Sequence, residues 1–212
     1  MYILNERSPK NLLFDFGAVL LDLDLNATLA AMRPLLGENY FFDHERNRFP
    51  KIFEQYEVGA VGEVEFFQEL QKLSIRDTTT EQLRSAWNAM LGPVPPPRLK
   101  MLLRLREQHG VYLLSNTNKT HLDHVLAELR TSYAITDWDT RYFDRTYYSH
   151  LIHHRKPDAA CYEYVLRDAG IGAQETLLID DNPANIEAAA RLGFQTHLHN
   201  DGRDITEVLA HL

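Results

Sequence analysis

Two short apolar runs that end in acid constrain this chain more than any other feature. They are Asn11-Leu12-Leu13-Phe14-Asp15-Phe16-Gly17 and Leu178-Ile179-Asp180-Asp181-Asn182. Each reads as a buried parallel strand whose C-terminal tip carries carboxylates. A sheet that brings those tips together sets three aspartates in one crevice. Three carboxylates do not gather without a cation, and oxygen donors of this kind suit a hard divalent ion, Mg²⁺ foremost.

Three further strands are expected near Val111–Ser115, Arg145–Ser149 and Gln195–His199, with the first two runs giving Leu12–Phe16 and Thr176–Asp180. Helical spacing fills the gaps at Arg98–His109, Thr120–Leu129, Asp158–Ala169 and Pro183–Leu192, three of them stopped by Gly110, Gly170 and Gly193. Strand and helix in alternation make parallel β-α units, hence a three-layer α/β/α, Rossmann-like core.

The stretch from about Asn26 to Leu91 breaks that rhythm. It reads as helices alone, at Ala27–Leu36, Phe49–Tyr56, Glu63–Leu73 and Thr80–Met90. One crossover helix needs far fewer residues, so the surplus is expected to form an inserted all-helical subdomain over 23–94. The core then takes 1–22 and 95–212. Gly92-Pro93-Val94-Pro95-Pro96-Pro97 reads as a stiff joint where the insertion returns.

Composition narrows the class. A hydrophobic content of 44% over 212 residues supports a substantial core. A net charge of -8, spread without long runs, argues against nucleic acid and anionic membrane as partners. A single cysteine, Cys161, allows no internal disulfide and fits a reducing compartment. Met1–Arg7 lacks the pattern of a signal peptide, and no apolar run is long enough to span a membrane. The expectation is a soluble cytoplasmic protein, monomer or homodimer.

Two more motifs follow in order. Leu113-Leu114-Ser115-Asn116-Thr117 puts a hydroxyl at a strand tip, where it either binds a phosphate oxygen or caps the next helix. Arg155-Lys156-Pro157-Asp158 sets a lysine at a helix start, able to balance a phosphoryl group and a carboxylate.

As an ordered set, Asp15, Ser115, Lys156 and Asp180-Asp181 resemble the haloacid dehalogenase superfamily, most of whose members are Mg²⁺-dependent phosphatases. The insertion resembles that family's type 1 helical cap. The resemblance implies roles residue by residue. Asp15 would be the nucleophile that forms an aspartyl-phosphate. Ser115 and the Asn116 backbone would hold phosphate oxygens, and Lys156 would steady the phosphate and Asp15. Asp15, the Gly17 carbonyl, Asp180 and Asp181 would surround Mg²⁺. Asn185 would either orient Asp181 or stabilise its helix.

At one position the pattern is broken. Most phosphatases of this superfamily carry a second aspartate two residues after the nucleophile, where this chain has Gly17. Glycine transfers no proton. A leaving group that needs little protonation, such as an anomeric hydroxyl, would tolerate the loss. The contexts Leu13–Asp24 and Leu114–Asn118 resemble bacterial sugar-phosphatases typified by α-D-glucose-1-phosphatase, which share that glycine. A small phosphorylated substrate such as glucose 1-phosphate is therefore expected. A weak phosphate- or partner-binding protein of the same fold is one alternative. Phosphonoacetaldehyde-hydrolase-like cleavage is another, with Lys51 and Lys72 as the cap lysines able to form a Schiff base.

Within the insertion, the turn of Gln55–Glu63 brings Tyr56 and Glu57 forward as substrate contacts or plain turn residues. Tyr40-Phe41-Phe42 reads as cap core and Cys161 as a buried small residue. His150, His153 and His154 match no zinc spacing and read as a loop near the mouth of the site. His197 and His199 share one face of the last strand.

Overall fold

The first strand lies at the centre of the sheet, and that position organises the molecule. The structure, a computed structural model, describes residues 8–37 and 51–212. Within them, β1 (Asn11–Phe14), β2 (Gly110–Ser115), β3 (Arg145–Tyr148), β4 (Thr176–Asp180) and β5 (Gln195–Leu198) form one sheet in the order β3-β2-β1-β4-β5. All neighbours run parallel. The chain leaves β1 for β2 on one side and later returns to β4 on the other, so the sheet's switch point, where such folds open a crevice, falls at the tip of β1.

Side chains alternate across the sheet as a pleated strand requires. Leu12, Phe14, Val111, Leu113, Leu177 and Ile179 pack on one face. That face is covered by α5 (Pro96–Leu105), α6 (Lys119–Tyr133), α7 (Trp138–Arg141) and α11 (Ile205–Val208). Leu13, Tyr112, Leu114, Tyr147 and Leu178 pack on the other, under α9 (Ala159–Ala169) and α10 (Pro183–Arg191). Both layers of helix are therefore present, as the alternating sequence implies. Cys161 is fully buried in the second layer, and burial pushes its thiol up to about 12.

Between β1 and α5 lie α1 (Leu25–Leu36), α2 (Lys51–Glu57), α3 (Glu63–Lys72) and α4 (Thr80–Asn88). They enclose a separate core in which Phe53, Phe66 and Trp87 stack or tilt against one another. Asp24 caps α1 through the N–H groups of Asn26 and Ala27, and Thr79 closes a capping box with Gln82 on α4. Tyr40-Phe41-Phe42 and Phe49 lie outside the described residues.

The two chain passages that join insertion and core pair with each other. Asp22 N donates to Pro93 O, Gly92 N to Asp22 O and Asp24 N to Met90 O. Pro96 and Pro97 do not extend the joint as expected. They form the first turn of α5, where proline's fixed φ suits a helix and its missing N–H costs nothing. Another helix end also differs from the sequence reading. The helix expected to stop at Leu129 runs to Tyr133, because Ala134 adopts the left-handed conformation that glycine usually supplies. Four-residue α7, α8 (Ser149–Ile152) and α11 are too short to show a period. Among the described residues no helix is long and apolar enough to cross a membrane.

The insertion rests on the core through polar ties. Tyr56 OH lies 2.5 Å from Thr120 Oγ1, which in turn donates to Glu63 Oε1 at 2.8 Å. At the turn after α2, Gly59 has φ +69°, and a Cβ there would stand 2.3 Å from the His150 carbonyl oxygen. Only glycine lets this turn approach so closely. On α6, His121 stacks on Trp87, and its Nε2 lies 3.1 Å from the Trp87 carbonyl. Its Nδ1 lies 3.2 Å from Asn118 Nδ2, so the neutral ring with its proton on Nε2 satisfies both partners.

Burial holds the His121 pKa down to about 4. A histidine depressed in the fold binds more protons when unfolded between about pH 4 and 6.5, so it takes away stability as pH falls through that window. Thermal unfolding of the wild type is expected to weaken more between pH 7 and pH 4.5 than that of His121→Phe. Equal losses in the two proteins would contradict a buried neutral His121.

Candidate active site

The strand tips converge as β1's central position dictates. Asp15 follows β1, and its N–H continues the ladder to Ile179 O at 2.9 Å. Asp180 ends β4 and Ser115 ends β2. Oxygens of Asp15, Asp180 and Asp181 lie within 4.8 Å of one another. Lys156, 1% exposed, reaches between two of them, with Nζ 2.9 Å from Asp15 Oδ1 and 2.6 Å from Asp180 Oδ2.

Neighbouring groups fix the orientation of each. Asp180 Oδ1 accepts from Asn182 N and from Asn185 Nδ2, both at 2.9 Å. Asn185 therefore orients Asp180, not Asp181. Asp15 Oδ1 also accepts from Phe16 N at 2.6 Å. The Asn116 side chain clamps the backbone of Lys156 twice, donating to its carbonyl at 2.8 Å and accepting from its N–H at 2.9 Å. That clamp holds the lysine in place although it sits on a loop forty residues further along the chain.

The charges do not balance. One ammonium faces three carboxylates. Burial pushes Asp15 up to about 7, with Asp180 adding to the shift and Lys156 opposing it. Asp181 is raised as well, by burial and by Asp180. Burial alone would depress Lys156, but Asp15 and Asp180 hold it above the usual lysine range. A cluster of oxygen donors short of positive charge fits a hard divalent cation.

A cavity of about 410 Å³ lies beside this cluster; Gly17, Ser115 and Asn116 line it, whereas the aspartates and Lys156 do not. The sequence of this chain matches the haloacid dehalogenase-like hydrolase family over residues 9–193. The chain belongs to that family. It is 31% identical over 195 residues to the D-ribitol-5-phosphate phosphatase of Bacteroides thetaiotaomicron, covering 92% of this chain and 94% of that one. A family enzyme of the same organism, solved with magnesium and inorganic phosphate, superposes with a TM-score of 0.79 at 32% identity. That match covers 95% of this chain and all of the other. A predicted haloacid dehalogenase-like family hydrolase of Porphyromonas gingivalis superposes with a TM-score of 0.84 at 29% identity, covering 97% of this chain and 98% of its own.

Within this hydrolase the residues singled out from sequence fall into two groups. Asp15, Ser115, Asn116, Lys156, Asp180 and Asp181 meet at the strand tips. Tyr56 and Glu57, adjacent in sequence, part company. Glu57 lines the cavity and pairs with Arg155 Nε at 2.8 Å. Tyr56, read from sequence as a substrate contact or a plain turn residue, is 2% exposed, stacks on Phe66 and does not line the cavity; it ties insertion to core.

The histidines disperse. His153 Nδ1 lies 2.9 Å from Val58 O, and His154 packs by Tyr164. Among the described residues the three aspartates are the one group spaced for a metal. Lys51 and Lys72 are both exposed, and Lys72 pairs with Glu69. Neither lines the cavity, which leaves the Schiff-base alternative without a lysine to carry it.

Sequence reading missed three partners: the Asn116 side chain, Asn185 as a ligand of Asp180, and Ser149. Ser149 Oγ accepts from Thr117 N at 2.9 Å and lies 2.6 Å from Glu57 O, joining the β2 tip to the insertion. No local pattern marks Ser149. Asn116 directly follows the Ser115 strand tip and Asn185 stands four residues after the Asp180-Asp181 pair, which is the one signal available.

Proposed function

We propose that this chain is a Mg²⁺-dependent phosphatase of small phosphomonoesters, sugar phosphates among them, working through an aspartyl-phosphate on Asp15. The observation that carries this reading is the buried Lys156 bridging Asp15 and Asp180 beside a third carboxylate, next to a cavity lined by Gly17 and Ser115. A phosphorylated small molecule is the natural guest of such a site, and one chain supplies every group.

Asp15 Oδ would attack phosphorus, and the ester P–O bond would break as the alcohol leaves with a proton from water. A second water would then attack the aspartyl-phosphate, releasing inorganic phosphate and restoring the carboxylate. Lys156 would hold Asp15 in line and offset charge on the phosphoryl oxygens. Ser115 Oγ and the Asn116 N–H would hold two of those oxygens. Asp15, Asp180, Asp181 and the Gly17 carbonyl would hold Mg²⁺, which when bound supplies charge neutralisation for an anion attacking an anion. Glu57, with Arg155, is proposed to face the rest of the substrate. Residues 23–94 would act as the cap, moving about the paired passages at Asp22–Asp24 and Met90–Pro93.

Gly17 has a steric side as well as a chemical one. A Cβ there would stand 2.5 Å from Leu23 Cδ1, so a leucine methyl occupies the space of the missing aspartate. Anomeric esters such as glucose 1-phosphate would tolerate that loss, and ribitol 5-phosphate is the second ester to compare with it. Phosphate release from the two is expected in Mg²⁺ and is expected to vanish with chelator. Release undiminished by chelator would contradict the metal-dependent reading.

A further inference from the structure

Much of the cavity's lining is apolar. Leu21, Leu23, Leu25, Leu29, Trp87 and Val125 line it. Three of these leucines are left uncovered by the fold, Leu23 and Leu29 at 37% and Leu25 at 62% exposure. Exposed leucines gathered on one concave surface mark a place where an apolar partner sits.

Most of the polar groups on the walls already have partners. Asn118 Oδ1 accepts from His121 N at 3.0 Å, and its Nδ2 meets His121 Nδ1. His121 Nε2 in turn meets the Trp87 carbonyl. Both ends of the Asn116 amide hold Lys156, and Arg155 holds Glu57. A polyol entering here would give up water at each hydroxyl and find few partners in exchange. A hydrocarbon would lose nothing and would cover the leucines.

We infer that this cavity favours the monophosphate ester of a mainly hydrocarbon alcohol over that of a polyol. The phosphate would sit at Ser115 and Lys156 and the carbon chain along α1 and α6. The inference rests on the phosphatase reading above and narrows it.

Initial rates of phosphate release from the n-alkyl series, ethyl to octyl phosphate, test it beside glucose 1-phosphate and ribitol 5-phosphate. Burying a methylene is worth about 0.8 kcal/mol, so kcat/KM is expected to rise by about fourfold per added methylene until the cavity is full. Octyl phosphate is expected to exceed ribitol 5-phosphate, whose leaving group is likewise an ordinary primary alcohol, by at least about tenfold. The double variant Leu25→Ser/Leu29→Ser removes two exposed side chains and is expected to flatten the rise. A flat series with ribitol 5-phosphate faster would overturn the inference and leave the phosphatase standing. A rise unchanged in the double variant would overturn the assignment to this cavity. No release from any ester, short or long, in Mg²⁺ would overturn the phosphatase reading and the inference together.

Discussion

Asp15→Asn is expected to lower phosphate release by at least about a thousandfold while leaving the protein folded. The amide keeps an oxygen for Phe16 N and for Lys156 but has no anionic oxygen with which to attack phosphorus. The loss of activity is separable from any loss of stability, and the sign of the stability change can be stated. Asp15 has its pKa raised by burial to about 7. A carboxyl raised in the fold gives stability below its unfolded pKa and takes it away as pH rises through the folded one. Above pH 7 in chelator, then, the wild type carries an unfavourable charge that the variant lacks. The thermal midpoint of Asp15→Asn should equal or exceed that of the wild type at pH 8. A variant that is inactive because it has unfolded would refute this account of Asp15.

Lys156→Met is expected to act in the opposite direction on stability. The lysine is 1% exposed and is the cation between Asp15 and Asp180. Removing one partner of a buried ion pair leaves charge without compensation and typically costs about 3–5 kcal/mol. For a domain of this size that corresponds to a fall of about 6–20 °C in the midpoint of thermal unfolding. Added Mg²⁺ should recover part of the fall, because a cation that binds the folded carboxylates alone stabilises them by mass action. Calorimetry with and without Mg²⁺ measures both effects. A midpoint within a degree or two of the wild type would mean that Lys156 does not hold the aspartates together. Asn116→Ala, which removes the clamp on the Lys156 backbone, provides a milder form of the same lesion.

The site's charged residues were legible in the sequence because each sits in a contiguous run. An apolar strand ending in acid announces both its burial and its chemistry, as at Asp15 and at Asp180-Asp181. The sheet follows from the same runs, since strand and helix alternate from Val111 to His199. What the sequence leaves hidden lies in pairings between distant residues. Asn116 meets Lys156, forty positions on, through nothing that either motif declares. The Trp87–His121 stack and the Tyr56–Thr120 bond likewise join insertion to core without a local pattern, so the sequence left Tyr56 open between substrate contact and turn residue, and it lies in the interface. The apolar wall is hidden for the same reason. Leu23, Leu25 and Leu29 look like an ordinary helix start and become a surface only when α1 folds over the tip of β1. Gly17 was legible as a missing acid, but the leucine that occupies its space was not.

The central claim is that phosphate passes through Asp15. Acid quench of the enzyme turning over a phosphorus-labelled ester tests it most directly, with the label located by peptide mapping. The account predicts label on the peptide that contains Asp15, present with Mg²⁺ and absent with chelator. Metal-dependent release of phosphate that leaves no label on that peptide, and that survives in Asp15→Asn, would contradict it.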